Sequence, residues 1–216
     1  MKFLIILFST LAASISGATE KPADSLKSLR ETLVRIQKTK LVEFQLEKKV
    51  VSEIMGSEKT YHGRSFLQGS LFRFEIKDPD KSLVVFDGKT LWIVQYPNPG
   101  LGGPTQVLRG QIHGKQKEQM LLTELLAKGK LLDSFTLAKT GEDDSGQSFE
   151  GTPKDKGFNL QKVNLTVKGK ELKKLEYVDD VGNKTSLNVI EQKLQADPRP
   201  ELFRYKPEKG AQVTNL

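Results

Sequence analysis

The chain contains no cysteine and only two histidines among its 216 residues. The absence of cysteine excludes a disulfide framework, a thiol nucleophile, a thiolate metal site and a cysteine-linked lipid anchor. The two histidines, His62 and His113, lie far apart in sequence and outside any HExxH or His-x-His arrangement, so a zinc site is not expected. No GxSxG or SxxK motif is present to place an acyl-transfer nucleophile. We therefore expect no metal, no cofactor and no catalysis.

Long hydrophobic runs are also lacking, apart from a short one at the N-terminus. Lys2 precedes an apolar stretch of about a dozen residues, and Ser16-Gly17-Ala18 ends it with small side chains. A bilayer-spanning helix needs roughly 20 apolar residues. The pattern predicts a signal peptide over residues 1–18, cleaved after Ala18, with cleavage after Ala13 as an alternative. Residues 19–216 are then expected to form one soluble domain in a bacterial periplasm.

The net charge is positive, +7 for the whole chain and +6 once Lys2 is removed with the signal peptide. Such a charge favours anionic membrane surfaces, acidic partners or nucleic acid. Nucleic acid is not expected in the periplasm, and lysine and glutamate interleave, as in Glu47-Lys48-Lys49, so most charges should form solvated faces. The acidic pairs at 143–144 and 179–180 lie beside glycine, where Asp is common in turns.

Two helices are predicted. Leu26, Leu29, Leu33 and Ile36 recur at helical spacing within residues 22–40, which predicts an amphipathic helix with one narrow apolar stripe. A second helix, apolar over much of its surface, is predicted over residues 117–128. The intervening Gly- and Pro-rich stretch at 97–104 lacks the spacing of a phosphate-binding loop, so it is interpreted as a surface loop.

Alternating apolar residues predict about ten or eleven antiparallel strands. Phe72, Phe74 and Ile76 share one face of a strand, and the turn at Asp87-Gly88 predicts a hairpin. A slip in the alternation predicts a β-bulge near Gln161-Lys162. The predicted strands are 42–47, 60–68, 70–76, 82–86, 91–96, 134–138, 147–150, 158–167, 171–178, 184–191 and 202–205. So large an open sheet must curl, and the two helices are its candidate cover.

The centre of the chain resembles the LolA family of periplasmic outer-membrane lipoprotein carriers. The resemblance is carried by Leu71-Phe72-Arg73-Phe74, then Asp78-Pro79-Asp80, then the more specific run Asp87-Gly88-Lys89-Thr90-Leu91-Trp92. The Asp-x-x-Gly-Asn-Lys-Thr hairpin at 179–185 and the ending that starts at Phe203-Arg204-Tyr205 follow in the same order. The resemblance covers nearly the whole predicted mature chain.

The resemblance implies an incomplete β-barrel with a helical lid over an apolar cavity that shields lipoprotein acyl chains. It implies acylated lipoproteins as cargo, an inner-membrane lipoprotein-releasing ABC transporter as donor and an outer-membrane acceptor, with the carrier itself a monomer. The residues expected to line the cavity are Leu29, Leu33, Phe44, Phe66, Phe72, Phe74, Ile76, Leu83, Val85, Trp92, Val94, Leu125, Leu126, Phe158 and Leu160.

One position departs from the family pattern. Gln68-Gly69 stands where the family often has Arg-Pro, and the resemblance implies that this arginine helps to hold the lid closed. The alternative functions are a periplasmic sensor of lipids or lipoproteins with the same fold, a carrier of another lipid-like molecule and, last, a hydrolase.

Overall fold

A single sheet of twelve strands forms most of the molecule in the computed structural model, which describes residues 25–111, 123–154 and 160–215. The strands lie in the order β12-β6-β5-β4-β3-β2-β1-β11-β10-β9-β8-β7, and β7 and β12 are the two unpaired edges. All neighbours are antiparallel except β12 and β6, which are parallel. The strands are β1 Leu41–Ser52, β2 Ser57–Gln68, β3 Leu71–Asp78, β4 Ser82–Phe86, β5 Leu91–Gln95, β6 Gln106–Gly110, β7 Phe135–Asp143, β8 Gly146–Pro153, β9 Leu160–Lys168, β10 Glu171–Asp179, β11 Lys184–Gln195 and β12 Gln212–Asn215.

The mainly β, unclosed antiparallel architecture confirms the predicted fold class, but two strands lie where none was predicted. Strand β6 lies just beyond the predicted loop, and only Val107 and Leu108 are apolar in its five residues. Strand β12 is exposed along its length. Neither has enough alternation to be found in the sequence. The strand predicted at 202–205 is wrong. Leu202 and Phe203 end a 3-10 turn at Pro200–Phe203, and Arg204 and Tyr205 join no strand. Proline suits the start of such a turn because its φ is fixed near the helical value.

The first predicted helix ends at Lys38 and not at residue 40. Helix α1 spans Lys27–Lys38 and buries Leu29, Leu33 and Ile36 on one stripe, as its spacing predicts. Much of the predicted second helix lies outside the described residues. The described end of that predicted range forms a π-helical turn at Thr123–Ala127, and the short helix α2 follows at Lys130–Ser134.

The predicted bulge in β9 is confirmed. Val178 pairs with Lys162 and Asp179 with Leu160, which leaves Gln161 without a partner across from it. The extra residue changes the phase of the strand, so that Val163, Leu165 and Val167 all face the buried side.

The sheet has two faces, and both carry buried apolar side chains. On one face a single group, called here the inner cluster, joins α1, the π-turn and α2 to the sheet. Its buried members are Leu29, Leu33, Ile36, Val42, Phe44, Leu46, Leu67, Phe72, Phe74, Val84, Leu91, Leu125, Leu126, Leu131, Phe135, Phe149, Val163, Leu165, Val167, Leu172, Leu175, Tyr177 and Leu187. On the other face lie two smaller groups, called the outer clusters, which are centred on Val85 and on Phe66.

Residues 196–211, called here the C-terminal strap, cover the outer clusters. Phe203 is buried against Leu41 and Phe66, and Tyr205 packs with Trp92, their ring centroids 5.4 Å apart. Arg73 donates a hydrogen bond to the carbonyl oxygen of Leu202 at 2.9 Å. The strap therefore gives the sheet a second buried face without a second sheet.

Replacing Glu75 by Gln should make the stability of the protein less sensitive to acid. Burial acts to raise the pKa of Glu75, but hydrogen bonds and charges from Arg73 and Arg64 outweigh it and lower this pKa below the ordinary value of 4.5. A carboxyl group whose pKa is lowered by folding stabilises above its ordinary value, and this stabilisation is lost as the pH falls through the lowered value. Denaturant unfolding measured from neutral pH to well below pH 4.5 should therefore show a larger loss of stability for the wild type than for Glu75→Gln. Equal losses would contradict the ion-pair role of Glu75.

Within the described ranges, no helix is long and apolar enough to cross a bilayer. The predicted signal peptide lies outside those ranges, and the division at residue 18 stays a prediction.

Candidate functional site

Among the residues that the structure describes, the inner cluster is the largest apolar cluster, and it is the candidate ligand-binding site. Leu29 and Leu33 of α1, Leu125 and Leu126 of the π-turn, and Leu131 of α2 are fully buried within it. The π-turn contacts both α1 and α2, so the three helical segments form one lid over the sheet. An apolar sheet face covered by separate helices can become a binding surface if the cover moves.

Nine of the fifteen expected cavity residues belong to this cluster or pack on its edge. Ile76 and Leu160 are the two at the edge. The other seven are buried members, namely Leu29, Leu33, Phe44, Phe72, Phe74, Leu125 and Leu126. Phe158 lies outside the described residues.

The structure places the other five expected residues on the opposite face, so the expected single lining is corrected. Leu83, Val85, Trp92 and Val94 belong to one outer cluster, and Phe66 belongs to the other. The physical reason is visible in β4, where Leu83, Val84 and Val85 are all buried. A strand that is covered on both faces gives no sign in its own sequence of which face is which.

The register of the hairpin resolves this ambiguity. Ile76 pairs with Ser82 across the β3–β4 turn, so Phe74 faces Val84 and Arg73 faces Val85. Paired residues of antiparallel strands lie on the same face. Pairing the residues outward from the turn at 79–81 matches Val84 with Phe74 and could therefore have placed Val84 in the inner cluster from the sequence. Leu67, Leu91 and Ile93 were missed for the same reason.

A chain of polar contacts fastens the N-terminal end of α1 to the sheet edge. Ser28 donates a hydrogen bond to the side-chain oxygen of Gln147 on β8. Gln147 donates in turn to Glu142 at 3.1 Å, and Glu142 pairs with Lys139 at 2.8 Å on β7. We call these four residues the clasp. The hydrogen bonds from Lys139 and Gln147 lower the pKa of Glu142, so this exposed carboxylate stays charged at neutral pH.

A cavity of about 620 Å³ opens beside the clasp, between the start of α1 and strand β7. Leu26 and Leu137 line it, and both also pack against the inner cluster. The cavity therefore adjoins the apolar interior at the point where the lid is held by polar contacts.

Gln68 lies away from this point. Its side-chain oxygen accepts a hydrogen bond from the backbone N–H of Arg199 at 2.7 Å, which holds the C-terminal strap. The family's arginine at this position was expected to hold the lid closed. In this chain Gln68 helps instead to hold the C-terminal strap over the outer face.

The described residues bring no group of three or more metal-ligating side chains together. His62 is half exposed, 3.5 Å from Glu47, and His113 falls outside the described ranges. The buried Asp179 accepts hydrogen bonds from the backbone N–H groups of Val181 and Asn183, which is the role of an aspartate that shapes a turn.

A family model for the outer membrane lipoprotein carrier protein LolA matches residues 46–206. The chain belongs to the LolA family. The outer-membrane lipoprotein carrier protein of Neisseria meningitidis is 25% identical to this LolA-family protein over 212 residues, which is 98% of this chain and 95% of the relative. That of Methylibium petroleiphilum is 27% identical over 204 residues, which is 94% of this chain and 95% of the relative.

A crystal structure of an uncharacterised conserved protein from Thermus thermophilus has the same fold as this LolA-family protein. The TM-score is 0.52 at 17% identity, and the match covers 88% of this chain and 99% of that one. Membership in the family places the protein among lipoprotein carriers, which are not enzymes.

Proposed function

We propose that this LolA-family protein carries outer-membrane lipoproteins through the periplasm by enclosing their acyl chains between the lid and the sheet. The observation that supports this most directly is the inner cluster itself. It is a continuous apolar surface on one face of the sheet, covered by three short helical segments. The name of the matching family gives the cargo class.

The energetic need for such a carrier is large. Exposing acyl chains to water costs about 0.8 kcal/mol for each methylene, so one long chain costs on the order of 10 kcal/mol. A site that replaces water with leucine and phenylalanine side chains removes this cost without any reactive group. Catalysis is not needed for this function, in agreement with the family.

The lid must leave the sheet for cargo to bind, because in this structure its own side chains fill the inner face. Leu29, Leu33 and Ile36 would be replaced by acyl chains on opening. The clasp is the point where few contacts need to break, and the adjoining cavity gives the chains a route inward. The proposed lining is accordingly the inner cluster, which does not include the five expected residues on the outer face.

As partners we propose an inner-membrane lipoprotein-releasing ABC transporter as donor and an outer-membrane lipoprotein as acceptor, with the carrier acting as a monomer. The experiment that tests the function adds the purified protein to spheroplasts that contain newly labelled lipoproteins. A soluble complex of the protein with labelled lipoprotein in the medium is the expected result. An absence of release, together with retention of a fluorescent apolar probe, would overturn the lipoprotein assignment and favour a lipid sensor.

The two faces of β4 provide a matched test of where the cargo lies. Val84→Thr and Val85→Thr are the same isosteric change at adjacent buried positions, one in the inner cluster and one in an outer cluster. Placing a hydroxyl against an acyl chain costs about 1–3 kcal/mol. We expect Val84→Thr to weaken the binding of the fluorescent apolar probe, called here the acyl probe, roughly tenfold. Val85→Thr should leave this binding unchanged, and the two variants should have similar free energies of unfolding. Equal effects of the two variants would argue against a binding site on the inner face.

A further inference from the structure

We propose that two adjacent hairpin tips, residues 53–56 and 180–183, dock the protein on an anionic lipid surface. This membrane-docking site, called here the tip site, goes beyond the proposed function, because it concerns how the protein meets a bilayer and not what it carries. It uses neither the inner cluster nor the clasp.

Three large apolar side chains are exposed at these tips. Ile54 is 77% exposed, Met55 74% and Val181 55%. The first two occupy the β1–β2 turn and the third the β10–β11 turn. Single exposed apolar residues are ordinary, but three on neighbouring turns at one end of a sheet form a patch that water does not favour.

The two tips are held together and held in shape. Glu53 at the first tip pairs with Lys184 beside the second at 2.7 Å. The second turn is fixed by the buried carboxylate of Asp179, which accepts hydrogen bonds from the N–H groups of Val181 and Asn183 at 3.1 and 2.7 Å. Gly182 completes this turn with a φ of +91°, which a larger residue rarely adopts. Val181 is therefore presented to solvent by a defined turn.

A groove of about 450 Å³ on the outer face of the sheet begins beside the same tips, at Val51 and Lys184. Four lysines line it, against one carboxylate, Glu176, among its described lining residues, and Val51 and Val178 add apolar surface. The lysines are Lys49, Lys162, Lys174 and Lys184. Each has a carboxylate partner within 3.2 Å, and the side chains of these pairs are 39–60% exposed. Ion pairs that are this accessible to water are weak and can give way to a stronger anion.

The combination of apolar tips and a groove lined by weakly paired lysines fits a bilayer with anionic headgroups. Large apolar side chains at the end of a rigid element enter the boundary between headgroups and acyl chains, and nearby lysines meet the phosphates. A soluble acidic protein would satisfy the lysines but would leave Ile54 and Met55 in water. The overall positive charge of the chain acts in the same direction.

Vesicle flotation tests the proposal with lipids alone. The purified protein is mixed with vesicles of phosphatidylcholine or of phosphatidylcholine containing roughly 30% phosphatidylglycerol, without any lipoprotein. We expect flotation with the anionic vesicles, weakening as salt is raised, and little with the neutral ones. Failure to float with the anionic vesicles would overturn the tip site, whatever the outcome of the spheroplast experiment.

A pair of variants locates the contact. Ile54→Thr combined with Met55→Thr should weaken binding to the anionic vesicles by about tenfold, because it removes the inserting surface. Ile190→Thr is the matched control, since Ile190 is 59% exposed on β11 but outside the tips, and it should bind as the wild type does. Equal binding by the tip variant would refute the proposal. Binding only to native inner-membrane vesicles, lost in the tip variant, would assign the tips to a protein partner instead.

Discussion

Replacing Gly63 by Ala is expected to lower the free energy of unfolding by about 3 kcal/mol, the upper part of the range for overpacked sites. Gly63 is buried in the middle of β2, between Leu46 of β1 and Ile76 of β3. A β-carbon there would lie 2.1 Å from the carbonyl oxygen of Glu75. The obstacle is the backbone of a central strand, so a side-chain rotation cannot relieve it.

The close approach has a local cause. His62 pairs with Asp78 but Gly63 pairs with Ile76, so Lys77 is an extra residue in β3 and the two backbones come together at this point. An alanine would have to separate β2 from β3, and these strands carry Leu67, Phe72 and Phe74 of the inner cluster. We therefore expect weaker acyl-probe binding as well as lower stability.

Gly141→Ala is the matched control for this prediction. Gly141 also lies at a strand irregularity, in edge strand β7, but a β-carbon there would meet nothing within 4 Å. Denaturant unfolding should show a change for Gly141→Ala within about 0.5 kcal/mol of the wild type. A comparably small effect for Gly63→Ala would show that the sheet can open at this point without cost.

Linking α1 to β8 should abolish the binding of acyl chains, and cutting the link should restore it. Ser28 and Gln147 already touch through the clasp, so Ser28→Cys with Gln147→Cys can be joined by a short, reducible bis-methanethiosulfonate reagent. The chain has no other cysteine to interfere. Because the lid fills the inner face when it is closed, a lid that cannot open leaves no room for cargo. We expect at least about a hundredfold weaker probe binding in the linked form, the scale on which an excluded competent state lowers apparent affinity.

A second linked variant provides the control. Lys139→Cys with Glu142→Cys joins two residues within β7, whose Nζ and Oε2 atoms lie 2.8 Å apart, and leaves α1 free. The same reagent should not prevent binding there, and reductant should make no difference. If the variant linked between residues 28 and 147 bound the probe as well as its reduced form, the lid would not be the gate and the site would have to lie elsewhere.

Several features of the fold follow from sequence because they are decided by neighbours along the chain. The stripe of α1, the common face of Phe72, Phe74 and Ile76, and the bulge at Gln161 are all present as predicted. The turn after β4 is also where Asp87-Gly88 indicates it, although it spans four residues and not two, with Asp87 accepting hydrogen bonds from Lys89 and Thr90. Local periodicity and turn chemistry contain this information without reference to the rest of the molecule.

By itself, then, the sequence determined the fold class, the family resemblance and the positions of most strands. The tertiary structure decided which face of β4 and β5 belongs to the site, because both faces are apolar and the cover of the outer one, anchored by Phe203 and Tyr205, comes from the other end of the chain. Arg73 and Leu202, joined by one hydrogen bond, are 129 residues apart in sequence. The same holds for the clasp between Ser28 and Gln147 and for the meeting of the two hairpin tips. Alternation specifies that a strand has two sides, but only the packing of distant segments specifies what lies against each side.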